Sequence, residues 1–100
     1  MSRPHLEIDR ASLEDLGRRY HIRRLAFFGS VLRDDFRDDS DVDVLVEFQP
    51  DARVGLSFFS LQDELSRLLG RQVDLSTPGF LSREFRERVI REARPVYEAA

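Results

Sequence analysis

Two aspartates, Asp41 and Asp43, stand one residue apart in an apolar run, Asp41-Val42-Asp43-Val44-Leu45-Val46. A Gly29-Ser30 pair closes an earlier apolar run, with ten residues between Ser30 and Asp41. In a β-strand the side chains at i and i+2 leave the same face, so both carboxylates point one way with Cα atoms roughly 6.5 Å apart. Carboxylates that close repel unless a positive charge lies between them. A divalent cation with oxygen ligands answers that need, and Mg²⁺ in particular is held by one or two carboxylates together with substrate phosphates. The Gly-Ser turn is a place where such phosphates can rest, because glycine lets backbone N–H groups approach them closely. A third acid, Asp74, lies in another short apolar stretch, Val73-Asp74-Leu75. A carboxylate in a core strand is costly unless it is paired, hydrogen-bonded or bound to metal. Any one of the three alone reads as a solvated or arginine-paired group at a sheet rim. The three together, with Gly29-Ser30 upstream, read as a metal site.

The elements that must carry these residues follow from periodicity and punctuation. Ser12-Leu13-Glu14-Asp15 opens a helix with Ser12 as its N-cap, an acidic first turn and an apolar stripe at Leu13, Leu16 and Tyr20. Ile22 to Phe28 reads as a strand stopped by Gly29, with a helical turn at Val31-Leu32-Arg33 and a polar, acidic loop from Asp34 to Ser40. The strand from Asp41 to Phe48 is the clearest, with Val42, Val44 and Val46 on one face and Asp41, Asp43, Leu45 and Glu47 on the other. After a loop from Gln49 to Gly55, Phe58, Leu61, Leu65, Leu68 and Leu69 recur at helical spacing up to Gly70. Adjacent Phe58 and Phe59 read more readily as core than as a docking face. Gln72 to Leu75 is a short strand. Ser82 caps a last helix with Phe85, Val89 and Ala93 on its buried face, ended by Pro95, after which Val96 and Tyr97 dock back on the core. The order implies an α/β fold in one domain over residues 1–100, a small mixed β-sheet with helices packed on it.

Bulk properties bound the function. One hundred residues suit one hydrophobic core, and 41% apolar with 35% charged residues describes a folded, well-charged chain. No apolar run is long enough to span a membrane and the first residues lack the apolar core of a signal peptide, so the expected location is the cytoplasm. Cysteine is absent, which removes thiol catalysis, disulfides and cysteine-based zinc sites. The formal charge of −3 argues against nucleic acid as the main partner. All 16 basic residues are arginines, a bias that suits phosphate contacts and ion pairs, although codon usage or a hot habitat is the readier explanation. Arg18, Arg19, Arg23 and Arg24 read as a solvated face rather than an RNA patch.

The array Phe28-Gly29-Ser30, nine residues, then Ser40-Asp41-Val42-Asp43-Val44-Leu45-Val46, followed by a strand aspartate at Asp74, resembles the signature of the polymerase-β-like nucleotidyltransferase superfamily. The likeness is greatest to its minimal nucleotidyltransferases and covers nearly the whole chain. The resemblance implies that Asp41 and Asp43 bridge two Mg²⁺ ions at the α-phosphorus of ATP, that Asp74 completes the metal shell and accepts the attacking hydroxyl's proton, and that Gly29, Ser30, Arg33 and Ser40 bind the nucleotide. One departure stands out: the arginine-glycine that often follows the Gly-Ser pair is here Arg33-Asp34, and Asp34 and Asp35 add negative charge near the triphosphate.

Minimal nucleotidyltransferases resemble antitoxins paired with small all-helical HEPN ribonuclease toxins, which implies transfer of AMP to a tyrosine hydroxyl of such a partner. Two alternatives stay open: a binding module that neutralises the toxin by occlusion, and nucleotidyl transfer to a small molecule or an RNA end. Base preference, the number of nucleotides transferred, and a homodimer or hetero-oligomer are not fixed by the sequence.

Overall fold

The computed structural model describes residues 9–32 and 41–99. Helix α1 spans Arg10–Arg19, strand β1 Ile22–Phe28, a 3-10 turn Gly29–Leu32, strand β2 Val42–Phe48 and helix α2 Ser57–Leu69. Strand β3 (Val73–Ser76), a second 3-10 turn (Pro78–Phe80), helix α3 (Arg83–Glu92) and strand β4 (Arg94–Glu98) complete the order. The strands form one mixed sheet in the order β3-β2-β1-β4. β1 pairs antiparallel with β2 and with β4, while β2 and β3 run parallel across the α2 connection. The expected α/β architecture of a small mixed sheet with packed helices is the one observed.

Alternation along β1 and β2 splits the core into two layers. Leu25, Phe27, Val42, Val44 and Val46 bury one face of the sheet, together with Leu13 and Leu16 of α1 and Leu61 and Leu65 of α2. Ala26, Phe28 and Leu45 bury the other, against Val89 and Ala93 at α3. Because Leu45 is fully enclosed on that second face, Asp43 on the same face of β2 lies at the margin of a core layer rather than in open water.

Local chemistry sets the boundaries. α2 stops at Gly70, whose left-handed backbone (φ 67) lets its N–H and that of Arg71 reach back to the Ser66 carbonyl. The Ser82 hydroxyl accepts the Phe85 N–H at 3.4 Å, as a helix cap should. β3 lies at the sheet edge, yet its Val73 and Leu75 N–H groups donate to Ser66 Oγ (3.1 Å) and Gln62 Oε1 (3.2 Å) of α2.

Several expectations need correction. α1 begins at Arg10, with Asp9 at the cap position and the Ser12 hydroxyl donating to the Asp9 carboxylate (2.6 Å), so Glu14 and Asp15 fall in its second turn. The last helix ends at Glu92, and the residues beyond it form a strand that pairs with β1 through Tyr97 and Pro95. Proline survives there because β4 is an edge strand. Phe85 does not join the buried face of α3; it is 46% exposed. Phe58 and Phe59 divide, Phe58 packing on the core while Phe59 is 60% exposed. Arg19 donates to both Asp15 and Glu64, and Arg24 lies between Glu47 and Glu98 on the neighbouring strands, so these two arginines serve ion pairs. Among the described residues no helix is long and apolar enough to cross a membrane.

Candidate active site

The end of β1, the start of β2 and β3 bring the expected residues to one corner of the sheet. Asp43 is the register partner of Phe28 on one side and of Asp74 on the other. Register partners in adjacent strands share a face about 4.8 Å apart, so the Asp43 and Asp74 side chains leave the sheet side by side. Asp74 is exposed, Asp43 is half-buried, and Asp41, also exposed, immediately precedes β2. Asp43 and Asp74 stand in strands as the sequence pattern implies, whereas Asp41, expected as the first strand residue, lies just before β2.

Gly29 follows β1 with φ +75, a backbone region that side chains rarely enter. A Cβ built there would collide with Asp43 Oδ2 and stand 3.2 Å from Asp43 Cγ. Glycine is therefore required twice, by the turn and by the carboxylate lying against it. The 3-10 turn from Gly29 to Leu32 starts at this point. Arg33 and Ser40, assigned to nucleotide binding, and Asp34 and Asp35 lie outside the described residues.

The donor chemistry suits a hard cation. All three acids offer oxygen, and Mg²⁺ is commonly held by one or two carboxylates with substrate oxygens completing its shell. Among the described residues no three acidic or histidine side chains stand close enough together to form a ready-made ion cage. The corner brings one carboxylate against Gly29 and a second beside it.

A cleft of about 280 Å³ opens between this corner and α3, lined by Phe28, Gly29, Asp43, Phe85, Arg88, Val89 and Glu92. The α3 residues in this wall escaped the sequence reading, although the spacing 85, 88, 89, 92 is the i, i+3, i+4, i+7 stripe of one helix face. Attention to the apolar members alone hid Arg88 and Glu92. A larger cleft, about 500 Å³, lies between α1 and α2 and is lined in part by Asp15, Arg19, Glu64 and Arg67. None of the three candidate acids borders it, and Asp15, Arg19 and Glu64 are occupied with one another. Arg19 donates to Glu64 Oε1 at 2.9 Å and Oε2 at 3.2 Å, and the Tyr20 hydroxyl donates to the same carboxylate. These bonds, Arg19 foremost, hold the Glu64 carboxyl below its ordinary value against the opposing effect of burial.

Residues 10–97 match the nucleotidyltransferase domain model. The chain belongs to the nucleotidyltransferase family. It is 37% identical over 82 residues to the protein adenylyltransferase MntA of Thermococcus cleftensis, covering 82% of each chain. A solved structure provisionally described as a minimal nucleotidyltransferase superposes with a TM-score of 0.73 at 38% identity, covering 87% of this chain and 88% of that one. The crystal structure of a toxin-antitoxin with AMP-PNP superposes with a TM-score of 0.71 over 92% of this chain and 75% of that one. At 19% identity that last likeness concerns the fold alone. Membership of the family makes this nucleotidyltransferase an enzyme of nucleotidyl transfer, and it gives the corner formed by Gly29, Asp43 and Asp74 its chemical context.

Proposed function

We propose that this nucleotidyltransferase moves AMP from ATP to a hydroxyl group of a protein, the acceptor being a tyrosine of a small helical HEPN ribonuclease, and thereby acts as that toxin's antitoxin. The observation that carries the reading is the alignment of Asp43 between the Gly29 turn and Asp74, in a chain whose 37%-identical relative is a protein adenylyltransferase. The likeness of fold to a toxin-antitoxin protein crystallised with AMP-PNP supports the choice of nucleotide and partner.

In this reading the acceptor oxygen forms a bond to the α-phosphorus, the bond from that phosphorus to the pyrophosphate oxygen breaks, and pyrophosphate departs with its electron pair. Asp74, exposed on its strand, takes the proton lost by the acceptor hydroxyl. Asp43 and Asp74, with Asp41 just before β2, would hold Mg²⁺, which would supply charge stabilisation for the attacking and leaving oxygens. Backbone N–H groups at Gly29 and Ser30, with Arg33 and Ser40, cradle the phosphates.

The test is intact-mass measurement of the partner after incubation with this chain, ATP and Mg²⁺, beside the double variant Asp41→Asn/Asp43→Asn. A mass gain of one or more AMP units, lost in the double variant while its circular dichroism spectrum is retained, is the expected result. Transfer that persists in the double variant refutes the metal-site assignment. A second reading, occlusion of the partner without modification, draws on Leu56 and Phe59, large apolar side chains 84% and 60% exposed near the start of α2. A stable complex with no mass gain would favour it.

A further inference from the structure

The cleft between the acids and α3 presents a cation that no part of the motif accounts for. Arg88 lines it together with Gly29 and Asp43, two of the three residues that form the corner. Its Nε lies 3.5 Å from Glu92 Oε1 in an i,i+4 pair, with the two side chains 61% and 57% exposed. A pair this open to water holds its partners weakly, so the guanidinium can exchange a carboxylate for another anion at little cost. Phe85, on the same stripe and nearly half exposed, adds an aromatic face to the wall.

We propose that Arg88 is a positioning residue for the nucleoside triphosphate, turning from Glu92 to a phosphate oxygen of the bound nucleotide, while the Phe85 ring forms the apolar side of the same wall. Three observations converge on this. The guanidinium fork matches phosphate oxygens and stays charged at any working pH. The cleft places it across from the Gly29 turn, where the phosphates rest in the proposed function. An acidic corner needs positive charge to admit a polyanion, and Arg88 supplies some of it from the side opposite the sheet. Glu92 then acts as a parking site: it holds Arg88 in the empty cleft and competes with the nucleotide for it. The inference rests on the proposed function, because it requires that this corner bind a nucleoside triphosphate.

Calorimetric titration with Mg²⁺ and AMP-PNP, a non-transferable analogue, tests it on the whole chain and the variants Arg88→Ala, Arg88→Lys and Glu92→Gln. Loss of a charge-assisted contact predicts binding about tenfold weaker, or more, in Arg88→Ala, with partial recovery in Arg88→Lys. Glu92→Gln removes the competitor and is expected to bind as tightly as the parent or more tightly. Transfer kinetics supply a readout that a purely structural role would not move: Arg88→Ala raises KM for ATP more than it lowers kcat. Parent-like affinity in Arg88→Ala, or equal tenfold weakening in Glu92→Gln, overturns the inference while leaving the proposed function standing. Absence of binding by the unmodified chain overturns the proposed function, and the role of Arg88 with it.

Discussion

Replacing Gly29 by alanine tests the geometry of the corner most sharply, since the substitution adds one methyl group at a position constrained in two independent ways. The left-handed backbone at φ +75 costs a residue with a Cβ about 1–2 kcal/mol. For a domain of this size that loss corresponds to a Tm lowered by roughly 4–16 °C. The new methyl also collides with Asp43 Oδ2, which must rotate away, and crowds Cγ, 3.2 Å from the methyl position. Displacing a reacting group by about 1 Å can cost on the order of a hundredfold in rate. Gly29→Ala should therefore lose stability moderately and transfer almost completely. A double-mutant cycle separates the two effects: in an Asp43→Ala background the collision is gone, only the backbone cost remains, and the difference is a coupling of roughly 0.5–3 kcal/mol. Thermal and urea unfolding read the stability, and AMP incorporation into the partner reads the transfer. Unchanged Tm and full transfer in Gly29→Ala, or strict additivity in the cycle, would refute the argument.

Other expectations follow from contacts away from the corner. Gly17 in α1 is buried beneath Tyr97, and a Cβ there would run into the Tyr97 ring. Gly17→Ala should thus destabilise by about 1–3 kcal/mol, although glycine to alanine inside a helix ordinarily stabilises by about 0.5–1 kcal/mol. Combining it with Tyr97→Ala should restore the ordinary sign, as measured by urea midpoints. Glu64 has its carboxyl held below the usual 4.5 by Arg19 and then Tyr20. A depressed folded value means that its stabilisation is complete above 4.5 and is lost as pH falls through the lower folded value. Glu64→Gln should therefore lower Tm at neutral pH and flatten the acid limb of the Tm profile; an acid limb of unchanged steepness would contradict the assignment.

Much of this site was legible because strand periodicity is simple. Val42, Val44 and Val46 on one face forced Asp41 and Asp43 to the other, and apolar neighbours around Asp74 fixed a third strand. Gly29 was readable as a turn, but its contact with the Asp43 carboxylate was not, since that depends on how β1 and β2 align. The last strand was misread because Pro95 is an ordinary helix terminator, and nothing local says that the chain beyond it will find an open edge of β1. The exposure of Phe85 was hidden for a similar reason: α3 is anchored at Val89 and Ala93 over Phe28 and Leu45, so its first turn borders the cleft beside Asp43 instead of entering the core.

The side chains of Ser66 and Gln62 that occupy the N–H groups of Val73 and Leu75 have a consequence for how the molecule can aggregate or assemble. A bare parallel edge invites a foreign segment to extend the sheet, and here such a segment would lie across the strand bearing Asp74. With its outward donors already satisfied by α2, that border is closed to strand addition. Growth of the sheet is left to the opposite border at β4, where Pro95 contributes no N–H. Backbone-templated stacking is thereby discouraged at both borders, and the margin beside the acids stays clear for an acceptor to approach with its side chain foremost.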